Sequence, residues 1–343
     1  MLASAGVVSL LLWRGPAWSA VADAFTAVQW SWVAAAVGLN LLSVIVRALA
    51  WRTVIAQAFP SQPIPGFMLV FSAFCVGLFA NALLPGRVGE LARVAVLNRH
   101  MPQRGAWARL LGTVFAHRVF DLVAVILLII YVVATAHIPE WAVTSLIVVV
   151  VVGVILFTVA VMSARNERMT SLEEGLGAFH KVVRAARYGL GVMRAPGAAA
   201  LALVFQVLGW VCQLFAVYAT MRAFQIDEPL PAAGLVLVLM NVATLFPLWP
   251  GNIGLVQAAV ALPLFTSYGV AKAQGIAFGF GLQAIEASVG VGVGLLFLAR
   301  EGLSFAMLKV MPQASQAEPP SKDVPQAPTA EPEVERPRAR MSG

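Results

Sequence analysis

The stretch Asn81-Ala-Leu-Leu-Pro-Gly-Arg-Val-Gly-Glu-Leu-Ala-Arg93 decides the fold. Apolar sequence from about Pro65 to Leu84 runs into it, and a Pro-Gly pair then stops any helix. The segment beyond, Val88 to Leu97, is too short to cross a bilayer and carries Glu90 and Arg93. It reads as a half-helix entered through the Pro85-Gly86 break.

The rest of the chain fits a membrane setting. Of 343 residues, 60% are hydrophobic and 11% charged, against about 25% charged in a soluble domain. Apolar runs near the ~20 residues of a spanning helix recur, and strand alternation is absent. The first run, Met1 to Trp13, is short and lacks a basic n-region, so a shortened first helix is expected rather than a signal peptide. Further spans are expected near 30–50, 65–84, 110–134, 141–162, 198–221, 232–249 and 273–298. Trp30 and Trp32 mark one end of the second span, and Arg47, Trp51 and Arg52 the other. The expectation is an all-α polytopic domain over residues 1–311, with about eight transmembrane helices and two re-entrant half-helices. A Pro-rich disordered tail follows over 312–343.

A second break, Pro250-Gly251-Asn252-Ile253-Gly254, has the same Pro-Gly-x-x-Gly pattern as Pro85 to Gly89. Each break has an Asn upstream, Asn81 and Asn241. The basic loop with Arg99, Arg104 and Arg109, the 163–194 segment with six Lys/Arg, and Arg300 are assigned to the cytoplasm. The two breaks then enter from opposite faces, giving an inverted repeat over 1–136 and 141–305. Such repeats with broken helices point to a transporter with a midplane site.

A half-helix N-terminus favours an anion through its N–H groups and dipole. Arg87 at the break could grip a phosphate with its planar fork. Glu90 lies three residues from both Arg87 and Arg93, and Arg118 three from Asp121, so each set shares a helix face. Two uses stay open: a polar cavity for a lipid headgroup, or ion pairs that hold the hairpins together. Arg93 is equally readable as an interfacial snorkelling residue, and His117 as a hydrogen-bonding group more than a proton relay. The candidate binding residues are Asn81, Arg87, Glu90, Arg93, Arg118, Asp121, Asn241, Asn252 and Gln257. Cys75 and Cys212 lie in apolar runs and read as inert, and no Cys/His cluster suggests a metal. The net charge of +7 reads as cytoplasmic loop charge, not nucleic-acid binding.

Leu84-Pro85-Gly86-Arg87-Val88-Gly89-Glu90-Leu91-Ala92-Arg93, then Arg118-Val119-Phe120-Asp121, resembles the membrane region of lysylphosphatidylglycerol synthases. The resemblance extends over about residues 10 to 305, and the softer Pro250–Gly254 element belongs to it. It implies movement of lipids or lipid-linked groups between bilayer leaflets. Three positions depart from the family pattern. His117 stands where Glu is frequent, Gln257 where Glu is frequent, and Gln283 is nearest to a common Arg. The two Gln suggest a neutralised acid–base pair. The soluble aminoacyl-transfer domain is absent from the sequence. The expected function is flippase-like transport of an anionic or phosphate-bearing lipid, such as a phospholipid or polyprenyl-phosphate-type lipid, in the inner membrane. The alternative is a partner that presents lipid to a membrane enzyme such as a glycosyltransferase. Neither an enzyme activity nor a cofactor is expected, since HExxH, GxSxG and Walker motifs are missing.

Overall fold

The structure, a computed structural model, describes residues 18–84, 88–101, 106–138, parts of 143–158, 195–245 and 252–301. The described residues form helices and no strands. In chain order these are α1 (Trp18–Thr26), α2 (Trp30–Ala58), α3 (Phe67–Leu83), α4 (Gly89–His100), α5 (Ala106–Thr135), α6 (Pro196–Ala223), α7 (Leu230–Leu245), α8 (Leu255–Tyr268), α9 (Lys272–Ala287) and α10 (Gly294–Arg300). A π-helical turn, Ser288–Val293, joins α9 to α10 without a break.

Among the described residues, four helices are long and apolar enough to cross a membrane: α2, α5, α6 and the continuous Lys272–Arg300 unit. At about 1.5 Å per residue, their 28 to 30 residues extend beyond a ~30 Å hydrocarbon core. α3 has 17 residues and α7 has 16, about 25 Å each, which falls short of that thickness. Each is followed by another short helix, α4 or α8. The expected third and seventh spans are therefore short helices ahead of a break. The second span extends past its expected end at Ala50 to Ala58, which places Arg47, Trp51 and Arg52 inside α2. Trp51 is fully buried, so it is a core residue and not an interfacial anchor. Trp30, at the start of α2, is 75% exposed. The expected first span, most of the fifth, the 163–194 segment and the 312–343 tail lie outside the described residues.

The same order of neighbours occurs in both halves. α2 packs on α3, α3 on α4 and α4 on α5; α6 packs on α7, α7 on α8 and α8 on α9. The halves meet through their most extensive contact, α2 against α6. They also interlock, with α7 on α5 and α10 on α3. One apolar cluster joins α2 to α5 with residues of the π turn and α10; a second joins α1, α5 and α6 to α9.

The motif glycine Gly89 is explained by packing. Its position faces the Gly77 carbonyl of α3 so closely that a Cβ would overlap that oxygen. A Cβ on Gly77 would lie 2.9 Å from the Gly89 carbonyl in turn. The two backbones therefore touch where α3 meets α4, and this contact sets the half-helix against the short span.

Candidate functional site

Asp121 is the hub of the site. It has 15 residues of α5 before it (106–120) and 14 after it (122–135), so it sits at mid-helix. Its Oδ1 accepts from Arg47 Nη2 of α2 at 2.7 Å and from Trp210 Nε1 of α6 at 2.8 Å. Gln206 Nε2 of α6 donates to the same oxygen. Its Oδ2 accepts from Arg118 Nη1 at 2.8 Å. Arg118 also donates through Nη2 to Glu90 Oε1 of α4. Glu90 Oε2 in turn pairs with Arg93 Nη2 at 2.5 Å. One chain of charges thus runs Arg47–Asp121–Arg118–Glu90–Arg93 and ties α2, α4 and α5 together, with α6 attached through Asp121.

These groups are held from behind by aromatic rings. The Arg93 guanidinium lies over the Trp51 ring at 4.7 Å and the Phe74 ring at 5.4 Å. Arg47 lies over Trp210 at 4.9 Å. Trp51 is fixed by its own bond, Nε1 to Thr113 Oγ1 at 3.0 Å. Cation–π contacts of desolvated guanidinium groups contribute ~2 kcal/mol. Arg93 is 4% exposed, so it is an interior cation and does not snorkel to an interface.

All five charged residues, with Asn81 and His117, line a cavity of about 50 Å³. That is room for a few waters. Three guanidinium groups and two carboxylates leave one net positive charge before His117 is counted. The Arg118 side chain is 46% exposed, against 5% for Arg93, and so is the most accessible cation of the chain. Buried Arg47 Nε and His117 Nδ1 have no hydrogen-bond partner. The His117 ring, 2% exposed, meets Phe74 edge-on at 5.8 Å instead.

Structure and sequence reading differ at the two breaks. The N–H of Gly89 donates to Asn81 Oδ1 at 2.8 Å, so the side chain before the first break takes one of the half-helix donors. At the second break Gly254 N–H donates to Gln257 Oε1 at 2.6 Å. Both half-helix ends are thus partly occupied by amides of the chain itself. Asn252 has left-handed backbone, φ 45°, and its Nδ2 donates to Ala243 O at 3.3 Å. Asn241 donates within its own helix to Leu237 O at 2.8 Å and does not repeat the Asn81 contact. Asn241, Asn252 and Gln257 do not line the charged cavity. Arg87, with Pro85, Gly86, Pro250 and Gly251, lies outside the described residues.

Gln257 Nε2 donates to Gln283 Oε1 at 2.7 Å, so the two Gln that depart from the family pattern touch. Three partners of the hub escaped the sequence reading: Arg47, Gln206 and Trp210. Arg47 is the one that carried a signal, a cation well inside an apolar run.

The family model for the lysylphosphatidylglycerol synthase TM region matches residues 1–305. The chain belongs to that family. Comparison with curated proteins and with solved structures returns no match. The acids and bases of the two motifs that carry the resemblance, Glu90 and Arg93 in the first and Arg118 and Asp121 in the second, are joined in the charge chain.

Proposed function

We propose that this membrane protein moves an anionic or phosphate-bearing lipid between the leaflets of the bacterial inner membrane. The carrying observation is the cavity lined by a guanidinium-rich chain with one net positive charge, at the middle of a membrane-crossing helix. Ionisable residues at that depth are costly and persist where they are paired or serve a path for polar groups. The first condition holds at Asp121 and its neighbours, and the cavity beside them supports the second. Membership of a lipid-related family supports the same reading.

A phosphate oxygen would meet Arg118 first, since it is the most exposed cation. Arg118 could then exchange one carboxylate for the phosphate while Arg47 keeps Asp121 paired. Its planar fork suits such an exchange. The cavity is too small for a whole headgroup, so lipid entry requires α4 and α5 to part at the Arg118–Glu90 bond. The recurring neighbour order of the two halves supports an internal repeat, and where such halves are inverted, their rocking is a route to alternating access. No bond of the lipid is made or broken.

The test is reconstitution in liposomes with labelled phosphatidylglycerol or labelled phosphatidylcholine. Faster leaflet exchange of phosphatidylglycerol than of phosphatidylcholine is the expected result. Exchange no faster than in protein-free liposomes would sink the transport reading, and would leave lipid presentation to a membrane enzyme as the alternative.

A further inference from the structure

Glu286 belongs to no part of the charge chain. It has 14 residues of the Lys272–Arg300 unit before it and 14 after it, the midpoint of a membrane-crossing helix. Its Oε1 accepts from Gln213 Nε2 of α6 at 2.9 Å. Among the described residues it makes no ion pair, whereas Glu90 and Asp121 each hold two arginines. It does not line the charged cavity.

We propose that Glu286 is a proton-binding site that holds a neutral carboxyl at rest and carries a proton in the same direction as the anionic lipid. This rests on the transport reading given above. An unpaired carboxylate at mid-membrane is far costlier than the neutral acid. A neutral carboxyl is also well served by Gln213. The amide N–H donates to its carbonyl oxygen, and the amide oxygen could accept from its hydroxyl.

The surroundings supply one cation and no acid in contact. From α2, Arg47 reaches Glu286 with its field but not by contact. From α6 comes the neutral Gln213. α1 carries Asp23 and α8 ends in Tyr268, and neither bonds to Glu286. Arg300 is 14 residues away at the end of α10.

Arg47 links the proton to the lipid. Its field favours the ionised carboxyl. An anion arriving beside the cluster offsets that field, so Glu286 holds its proton more tightly when the anion is bound. Coupling of two sites is reciprocal, so the proton also strengthens anion binding. The O–H bond forms with a proton from water on one side and breaks to water on the other, with nothing oxidised or reduced. One proton with one phosphodiester moves no net charge. The π turn Ser288–Val293 begins two residues beyond, where the glycines Gly290 and Gly292 have no neighbour within 4 Å of a Cβ position. Such turns often mark functional sites in helices, and this one gives the helix a place to yield as Glu286 changes charge.

The experiment compares wild type with Glu286→Gln, which mimics the neutral acid and keeps the Gln213 contact. Infrared difference spectra of the purified proteins at neutral pH read the proton directly. A protonated-carboxyl band in wild type, missing from the variant, is expected. Liposomes with labelled phosphatidylglycerol and a pH gradient read the coupling. Wild type should shift the leaflet ratio by up to about tenfold per pH unit. The variant should move lipid to an even distribution with no response, and a sodium gradient should do nothing to either. Identical infrared spectra would overturn the proton site. A gradient response retained by the variant, or a response to sodium, would overturn the coupling. If neither protein moves lipid, the transport reading and the coupling fall together, while the infrared band still decides the proton site.

Discussion

Replacing Asp121 by Asn removes one charge and leaves the shape. In the native site the carboxylate faces two guanidinium groups, Arg47 and Arg118, and two neutral donors, Gln206 and Trp210. The amide of Asn presents one oxygen to these donors and turns its own N–H groups toward a guanidinium. The net charge of the cluster rises from one to two. Breaking a buried pair typically costs ~3–5 kcal/mol. The Arg118 partner is partly solvated, which favours the lower end, about 3 kcal/mol. At roughly 2 °C per kcal/mol for a protein of this size, the melting temperature in detergent should fall by about 6 °C. A second change, Arg47→Gln, restores the net charge, and the double variant should regain most of that loss. Thermal unfolding followed by tryptophan fluorescence reads both, since Trp210 contacts the altered group. An unchanged midpoint for Asp121→Asn, or a double variant less stable than the single one, would refute the hub.

Other consequences follow from single contacts. In Gly209→Ala the new Cβ would lie 2.6 Å from Arg47 Cγ, so either α2 and α6 shift apart or the Arg47 side chain is displaced. Overpacking of this kind costs ~1–3 kcal/mol, and a thermal midpoint equal to wild type would contradict the close approach. Gln283→Arg alone puts a charge against Gln257 and should lower stability strongly, while Gln283→Arg with Gln257→Glu should recover it as an ion pair. Equal stability of the single and double variants would show that the two positions are not coupled. A cysteine placed in the 163–194 segment, in a background without Cys75 and Cys212, should react with a membrane-impermeant reagent only after permeabilisation. One in the 224–229 connection between α6 and α7, assigned to the outside, should react in intact cells. The reverse pattern would invert the topology.

Much of the helical frame was legible in the sequence because a bilayer imposes it. Runs such as 198–221 have one way to bury their backbone, and α6 covers that run with two residues to spare at each end. Helix ends were less legible where polar residues lie inside a span. Arg47, Trp51 and Arg52 looked like an end marker, yet α2 continues to Ala58 because Asp121 and Thr113 provide partners from another helix. The pairing within each motif, Glu90 with Arg93 and Arg118 with Asp121, follows from helical spacing and was readable. The bond between the motifs, Arg118 to Glu90, spans 28 residues and depends on how α4 crosses α5, which no local pattern encodes. Asn81 and Asn241 illustrate the limit of a repeat seen in sequence. Both lie upstream of a Pro-Gly-x-x-Gly element, Asn81 four residues before Pro85 and Asn241 nine before Pro250, and one reaches across to Gly89 while the other bonds to its own helix.

Arg118 offers the most direct test that the charge chain receives the lipid. It is the most exposed of the three arginines, so its loss should cost little stability. It is also the cation that a lipid phosphate would reach first. Leaflet exchange of labelled phosphatidylglycerol is to be measured in liposomes carrying equal amounts of wild type or Arg118→Gln, both checked for an unchanged thermal midpoint. The account predicts that the variant stays folded and that its exchange rate drops at least tenfold toward the protein-free value, the loss of one charge-assisted contact of ~1.5–3 kcal/mol. A folded Arg118→Gln protein that exchanges phosphatidylglycerol at the wild-type rate would contradict it.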